Sequence, residues 1–289
     1  MRACHNASVL SAMSRRPDFT GVWIKVERAK HHFGDLHARH QRFLEDKPYR
    51  AVPCDDLDTG DLVHRVEVSK QPPRFWSAIA GDCVHNLRSS LDLLVCEMVR
   101  AEGKPVKEHT GFPVYRSAVA FANALKSRDI GKVDGAPKRA VDLIMKAKPY
   151  QGADNLFGLL HQLDIENKHK FLMPVGIVHQ RTVSRYTLNQ LAAATPGMSS
   201  FTMADIAEEA IGIITPRQPF PLKDGAEIRR MPARLRNEPI AQIYMNPEFV
   251  FGVAFGEVEV VKGEPLIPTL GQLIKFVEDF VKLFPPLFS

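Results

Sequence analysis

Residues that could carry acid–base chemistry are concentrated in two segments of the chain. The first polar stripe consists of Asp82, His85, Arg88, Ser89 and Asp92, which recur at three- and four-residue steps. On a helix, that spacing places all five within about a third of the circumference. Histidine can accept and release a proton near neutral pH, and a guanidinium can stabilise the charge of a phosphate. The stripe therefore predicts either a reactive cleft or a plain ion-pair network, because Arg88 and Asp92 also form an ordinary helical pair.

A second polar stripe lies in the segment NLFGLLHQLDIENKHKFL and consists of His161, Asp164 and Lys168. These residues share one helical face, and Asn167 and His169 stand beside them. We predict that both stripes line one cleft if their helices face each other. The predicted catalytic residues are His85, Arg88, Asp92, Lys168 and His169. The predicted substrate-binding or network residues are Asn86, His161, Asp164 and Asn167.

The first polar stripe requires a helix that is central in its domain. Apolar or small residues recur on its other side at helical spacing: Trp76, Ala80, Cys83, Leu87, Ser90, Leu94 and Met98. This pattern predicts a core-facing helix within 74–103. The predicted helix of the second stripe has its own apolar row, formed by Leu156, Leu159, Leu160 and Leu163.

The remaining pattern predicts an α+β fold. We expect a flexible tail at 1–20 and a helical domain at 21–173, with a β-hairpin inserted at 49–70. Residues 174–289 contain β-branched and alternating segments, among them 175–188, 201–216, 239–245 and 249–261, which predict an antiparallel β-rich region. A final helix is expected at 268–284, where apolar residues return to helical spacing.

Composition narrows the class of protein. The chain has 289 residues, of which 45% are hydrophobic and 25% charged, and its formal net charge is +5. These values are typical of a globular protein with a weak preference for anionic partners. Four cysteines without a CxxC pair favour reduced thiols, and no apolar segment approaches the length of a membrane span. We therefore expect a cytoplasmic protein with no membrane partner and no cofactor.

Two motifs carry a resemblance to known proteins. GDCVHNLRSSLDLL, a GFPV loop and YQGADNLFGLLHQLDIENKHKFL resemble a group of uncharacterised bacterial proteins with HNLRSxLD and LDxxxKH helices, over roughly residues 22–175. More distantly, the helical half is similar to HEPN domains, helical bundles that often dimerise and in many cases cleave RNA without metal. The resemblance implies a HEPN-like bundle, an RNA partner and a homodimer. The HEPN signature, an arginine followed a few residues later by histidine, is absent at Arg88 and before His169.

Three functions follow from these residues. In a metal-independent ribonuclease, His85 or His169 would act as general base and acid, while Arg88 and Lys168 would stabilise charge on the phosphate. In a nucleic-acid or protein binding module, the same side chains would form a polar network that holds the bundle together or contacts a partner. In a metal-binding helical-bundle hydrolase, the ligands would be His85, Asp92, His161 and Asp164.

Overall fold

The computed structural model describes residues 16–127, 131–152, 155–169, 175–184, 221–237, 247–256, 261 and 263–288. Within these ranges the chain is a mixture of helices and strands. In order, the elements are α1 (Thr20–Glu45), β1 (Tyr49–Asp55), β2 (Leu62–Val68), α2 (Trp76–Ala101), α3 (Ala118–Ser127), α4 (Lys138–Lys146), α5 (Leu156–His169), β3 (Val175–Ser184), β4 (Glu227–Met231), β5 (Pro247–Phe255) and α6 (Leu266–Val281). The strands predicted within 201–216 and at 239–245, and the tail up to residue 15, lie outside the described residues.

Helix α2 is the core-facing helix that the sequence pattern predicts. Its apolar row is fully buried at Ala80, Cys83, Leu87, Leu94 and Met98. Ser90 lies in the same row, and its hydroxyl donates to the Leu87 carbonyl at 2.7 Å. This hydrogen bond explains how a polar side chain is accommodated in the apolar row, because the hydroxyl has a partner within its own helix.

The described residues divide into two compact units that interleave along the chain. The helical unit comprises Met1–Gly34, Ala78–Leu172 and Thr269–Ser289, and the β-containing unit comprises Asp35–Ser77 and Met173–Pro268. The expected domain boundaries were sequential, at 173 and 174. The observed grouping differs because the hairpin β1–β2 pairs with a strand from the second half of the chain, whereas most of α6 joins the helices.

The helical unit is held together by a cluster of phenylalanine rings. The Phe157 ring on α5 lies 4.8 Å from Phe112, 4.6 Å from Phe276 and 4.9 Å from Phe280, measured between centroids. The last two rings belong to α6, and Phe280 also contacts Phe284 at 5.2 Å. Large apolar rings supply most of the burial in a core of this kind. The cluster therefore explains why the final helix belongs to the helical unit.

The described residues of the β-containing unit form two antiparallel sheets. One has the strand order β1–β2–β4, and the other pairs β3 with β5. Hairpin pairing runs from Tyr49 opposite Val68 to Asp55 opposite Leu62, as the alternating pattern predicts. Strand β4 then pairs with β2, with Leu62 opposite Met231. This contact between distant segments cannot be predicted from local periodicity.

The acidic turn of the hairpin binds an arginine. Arg230 of β4 contacts Asp56 at 2.8 Å, Asp61 at 3.0 Å and Glu227 at 2.8 Å. The hydrogen bond from Arg230 is the main cause of a lowered pKa at Asp56. At Asp61, the pKa is lowered chiefly by the backbone amide of Ala233 and then by Arg230. The turn carboxylates thus attach β4 to the hairpin.

Among the described helices, none combines the length and the hydrophobicity needed to cross a lipid bilayer.

We predict that Phe157→Ala lowers the free energy of unfolding by about 3–5 kcal/mol, because it leaves a cavity among three rings. Urea denaturation followed by far-UV circular dichroism measures this loss. Val119→Ala on α3 is the control, since Val119 is 70% exposed and its truncation should cost less than about 0.5 kcal/mol. Equal losses in the two variants would contradict the proposed core.

Candidate active site

The two polar stripes meet within the helical unit. His85 Nδ1 on α2 lies 3.0 Å from Asp164 Oδ1 on α5. Lys168 Nζ, one turn further along α5, donates to the other oxygen of Asp164 at 2.6 Å. Helices α2 and α5 therefore face each other, as a shared cleft would require. Asp164 is the residue through which the two stripes are in contact.

Asp164 is buried, and its carboxylate therefore requires hydrogen-bond donors from the protein. Its side chain is 4% exposed, whereas the side chains of His85 and Lys168 are 45% and 51% exposed. A buried carboxylate is stable only when charged or hydrogen-bonded partners compensate for its lost hydration. Lys168 compensates its charge, and His85 supplies a ring N–H. The imidazole is consequently fixed at one edge by a buried group while the rest of the ring faces outward.

The hydrogen bond to Asp164 determines the roles of the two imidazole nitrogens. An ionised carboxylate can only accept, so Nδ1 of His85 carries the proton that it donates to Asp164. In the neutral ring, Nε2 is then the acceptor. Ser89 Oγ lies 3.4 Å from Nε2, one helical turn along α2, and can donate to it. Nε2 therefore lies next to a hydroxyl group of its own helix.

The side chain of Asn167 on α5 lies directly against Gly81 of α2. A β-carbon at this position would lie 2.0 Å from Asn167 Oδ1 and 2.5 Å from Asn167 Cγ. The side chain of Asn167 therefore occupies the space that any larger residue at 81 would need. Asn167, predicted as a network residue, acts here by packing against the backbone of α2.

Arg88 and Asp92 hold a loop. Arg88 donates from Nη1 to Asp92 Oδ1 at 2.8 Å and from Nη2 to the Phe112 carbonyl at 2.9 Å. The Phe112 amide donates back to Asp92 Oδ1 at 2.8 Å. Arg88 is only 6% exposed. Its placement favours positioning of the GFPV loop over the contact with phosphate that the sequence suggested.

In the part of the chain that the structure describes, His161 forms no hydrogen bond with His85, but the charge of Asp164 acts on it. Its Nδ1 is buried and has no hydrogen-bond partner among the described residues. Burial lowers the pKa of His161, and the positive charges of Arg88 and Lys132 lower it further, against smaller opposing effects of Asp164 and Asp92. The neutral imidazole is therefore the favoured form in the folded protein.

Asn86 connects the site to α1. Its Nδ2 donates to the Asp82 carbonyl at 2.8 Å, and its Oδ1 accepts from Lys25 Nζ at 3.3 Å. Sequence reasoning did not find Lys25, because the pattern of a single helix does not indicate which partner helix lies beside it. The backbone of His169 ends α5, but its side chain is outside the described part of the structure, so its predicted role stays a prediction.

A metal site is not assembled from the described residues. No group of three His, Cys, Asp or Glu side chains there is arranged to hold a metal ion. The proposed ligands have other partners: Asp92 binds Arg88 and the Phe112 amide, and Asp164 binds His85 and Lys168.

Compared with models of known protein families, with curated proteins and with solved structures, the chain has no significant match.

We predict that Arg88→Met lowers the free energy of unfolding by about 2 kcal/mol, because the Phe112 carbonyl loses a charged donor and Asp92 loses its cation. Chemical denaturation measures the change. Arg100→Met is the matched control on the same helix, because Arg100 is 53% exposed and its ion pair among the described residues is with Glu97. An effect as small as that of the control would contradict the loop-holding role of Arg88.

We also predict that the protein loses stability as the pH falls below about 6.5, the ordinary histidine pKa. The unfolded chain binds a proton at His161 in this range, whereas the folded protein resists it because the pKa is lowered. Protonation therefore favours unfolding, and stability rises with pH across the window. Thermal melts between about pH 5 and 8 test this expectation for the wild type and His161→Gln. An equally steep dependence in both would contradict it.

Proposed function

We propose that the chain is a metal-independent ribonuclease whose general base is His85. The observation that carries the proposal is the 3.0 Å hydrogen bond between half-exposed His85 and buried Asp164. A carboxylate in this position fixes the tautomer of the imidazole and stabilises the imidazolium after proton transfer. In the proposed reaction, a substrate hydroxyl takes the place of the Ser89 hydroxyl beside Nε2.

The proposed reaction uses the 2′-hydroxyl of RNA. Nε2 of His85 accepts the proton from this hydroxyl, and the resulting oxygen attacks the adjacent phosphorus. The bond from phosphorus to the 5′ oxygen breaks, which leaves a 2′,3′-cyclic phosphate. His169 is the candidate acid that protonates the leaving oxygen. Lys168, with 51% of its side chain exposed, is the candidate cation for the charge that develops on the phosphate.

The general charge of the chain is compatible with this proposal. A formal net charge of +5 favours approach of an anionic polymer. The HEPN-like fold, a homodimeric state and a cytoplasmic location belong to the same proposal, and they rest on the sequence resemblance and composition.

A non-catalytic binding module is the second candidate. The observation that favours it is that the same contacts also join helices: Asp164 connects α5 to α2 through His85, and Asn167 packs against Gly81. Side chains with this arrangement can serve stability alone. In that case His85→Ala would reduce stability and leave any RNA affinity unchanged.

We predict that the purified protein cleaves single-stranded RNA in EDTA and produces 2′,3′-cyclic phosphate ends. His85→Ala should reduce the rate by about 10²–10⁴-fold, the usual contribution of a general base. Asp164→Asn should also slow cleavage, and His169→Ala tests the acid. Ser89→Ala should retain activity, because the nucleophile belongs to the substrate. End groups are identified by mass spectrometry of the products.

The matched control is His109→Ala, because His109 is an exposed histidine of the helical unit outside the site. It should cleave at the wild-type rate, and identical purification of all variants excludes a contaminating nuclease. Well-folded wild type without cleavage, or equal rates in wild type and His85→Ala, would contradict the ribonuclease proposal and favour the binding module.

A further inference from the structure

Two cations on helix α1 have no acidic partner among the described residues. Lys25 and Arg28 are three residues apart, so they share one face, and we call them the cationic stripe. Lys25 donates to the amide of Asn86 at 3.3 Å, and Arg28 Nη2 lies 3.4 Å from His32 Nε2. Neither an amide nor an imidazole is an anion, so neither contact compensates the positive charge.

Another cation on the same helix is arranged differently. Lys30 Nζ binds Glu27 at 3.0 Å and Glu278 at 2.9 Å. The hydrogen bond to Glu278 is the main cause of its raised pKa. Its charge is thus compensated by two carboxylates. Helix α1 therefore contains both compensated and uncompensated cations within a few residues, which allows a direct comparison between them.

The cationic stripe begins beside the candidate active site. Lys25 contacts Asn86, a predicted site residue that follows His85 on α2, although the two side chains point about 100° apart around that helix. From Lys25 to Arg28 the stripe extends about 4.5 Å along α1, at about 1.5 Å per residue. Exposed or half-exposed cations of this kind attract phosphates independently of the nucleotide sequence.

We infer that the cationic stripe binds the phosphate backbone of a single RNA strand and holds it next to His85. Lys25 and Arg28 each contact a phosphate, and the strand follows α1 away from the site. This inference rests on the proposed function, because it takes RNA as the ligand. It adds a binding site on a helix that contributes none of the predicted catalytic residues.

Binding measured without cleavage tests this inference. The probe is a fluorescein-labelled oligouridylate, titrated in EDTA with full-length His85→Gln protein, and fluorescence anisotropy is recorded at several salt concentrations. Lys25→Gln combined with Arg28→Gln should weaken binding at least about tenfold at low salt. The slope of log affinity against log salt should become shallower by about 1.4, since each phosphate contact on a single strand contributes about 0.7.

Two further variants make the test specific. Lys30→Gln is the matched control and should leave the slope unchanged, because its charge is already compensated. Lys25→Arg combined with Arg28→Lys keeps both charges and should restore binding, which separates lost charge from lost folding. An unchanged slope in the double glutamine variant, an equal change in Lys30→Gln, or no binding by His85→Gln protein would overturn the inference.

The outcomes for catalysis and for binding are separable. If wild type and the double glutamine variant cleave RNA at equal rates and show equal binding slopes, the ribonuclease proposal stands and the cationic stripe has no part in it. Binding that depends on Lys25 and Arg28, in a protein that does not cleave RNA, would retain the phosphate site and remove the catalytic role of His85.

Discussion

The arrangement of the helical unit depends on the burial of one carboxylate. Asp164 lies almost fully inside, with 4% of its side chain exposed, and a charge in that position is tolerated only with partners that replace its hydration. One partner comes from its own helix and one from α2. The hydrogen bond that stabilises buried Asp164 therefore also orients the ring of His85. It leaves the neutral imidazole with one protonated nitrogen and one that can accept a hydrogen bond.

Much of this arrangement could be predicted from local patterns. Apolar periodicity indicated α1, α2, α5 and α6, and the alternating residues around Gly60 indicated the hairpin. Spacing also placed His85 and Arg88 on one stripe. Spacing could not separate their roles, because both residues occur on the same face with similar polar neighbours. The difference arises from depth: Arg88 is 6% exposed beside a loop carbonyl, while His85 is half exposed beside a carboxylate.

Contacts between distant segments are the part that the sequence pattern did not reveal. Pairing of β2 with β4 joins residues separated by more than half the chain, and Lys25 reaches Asn86 from another helix. Neither contact produces a periodic signal, since each depends on which faces meet in three dimensions. Two glycines mark such contacts. Gly81 adjoins the side chain of Asn167, and Gly111 adjoins that of Asp92, at distances that a β-carbon would not permit.

Gly81 also affects how α5 packs on α2. The Asn167 amide lies over the bare backbone at this position, so a larger residue there would require the end of the Asn167 side chain to move. The contact matches one axial register of α5 against α2. A slip by one turn would displace Asp164 by about 5.4 Å, far beyond hydrogen-bonding reach of His85. The proposed role of the imidazole therefore depends on the axial register of α5 against α2, to which a residue with no side chain contributes.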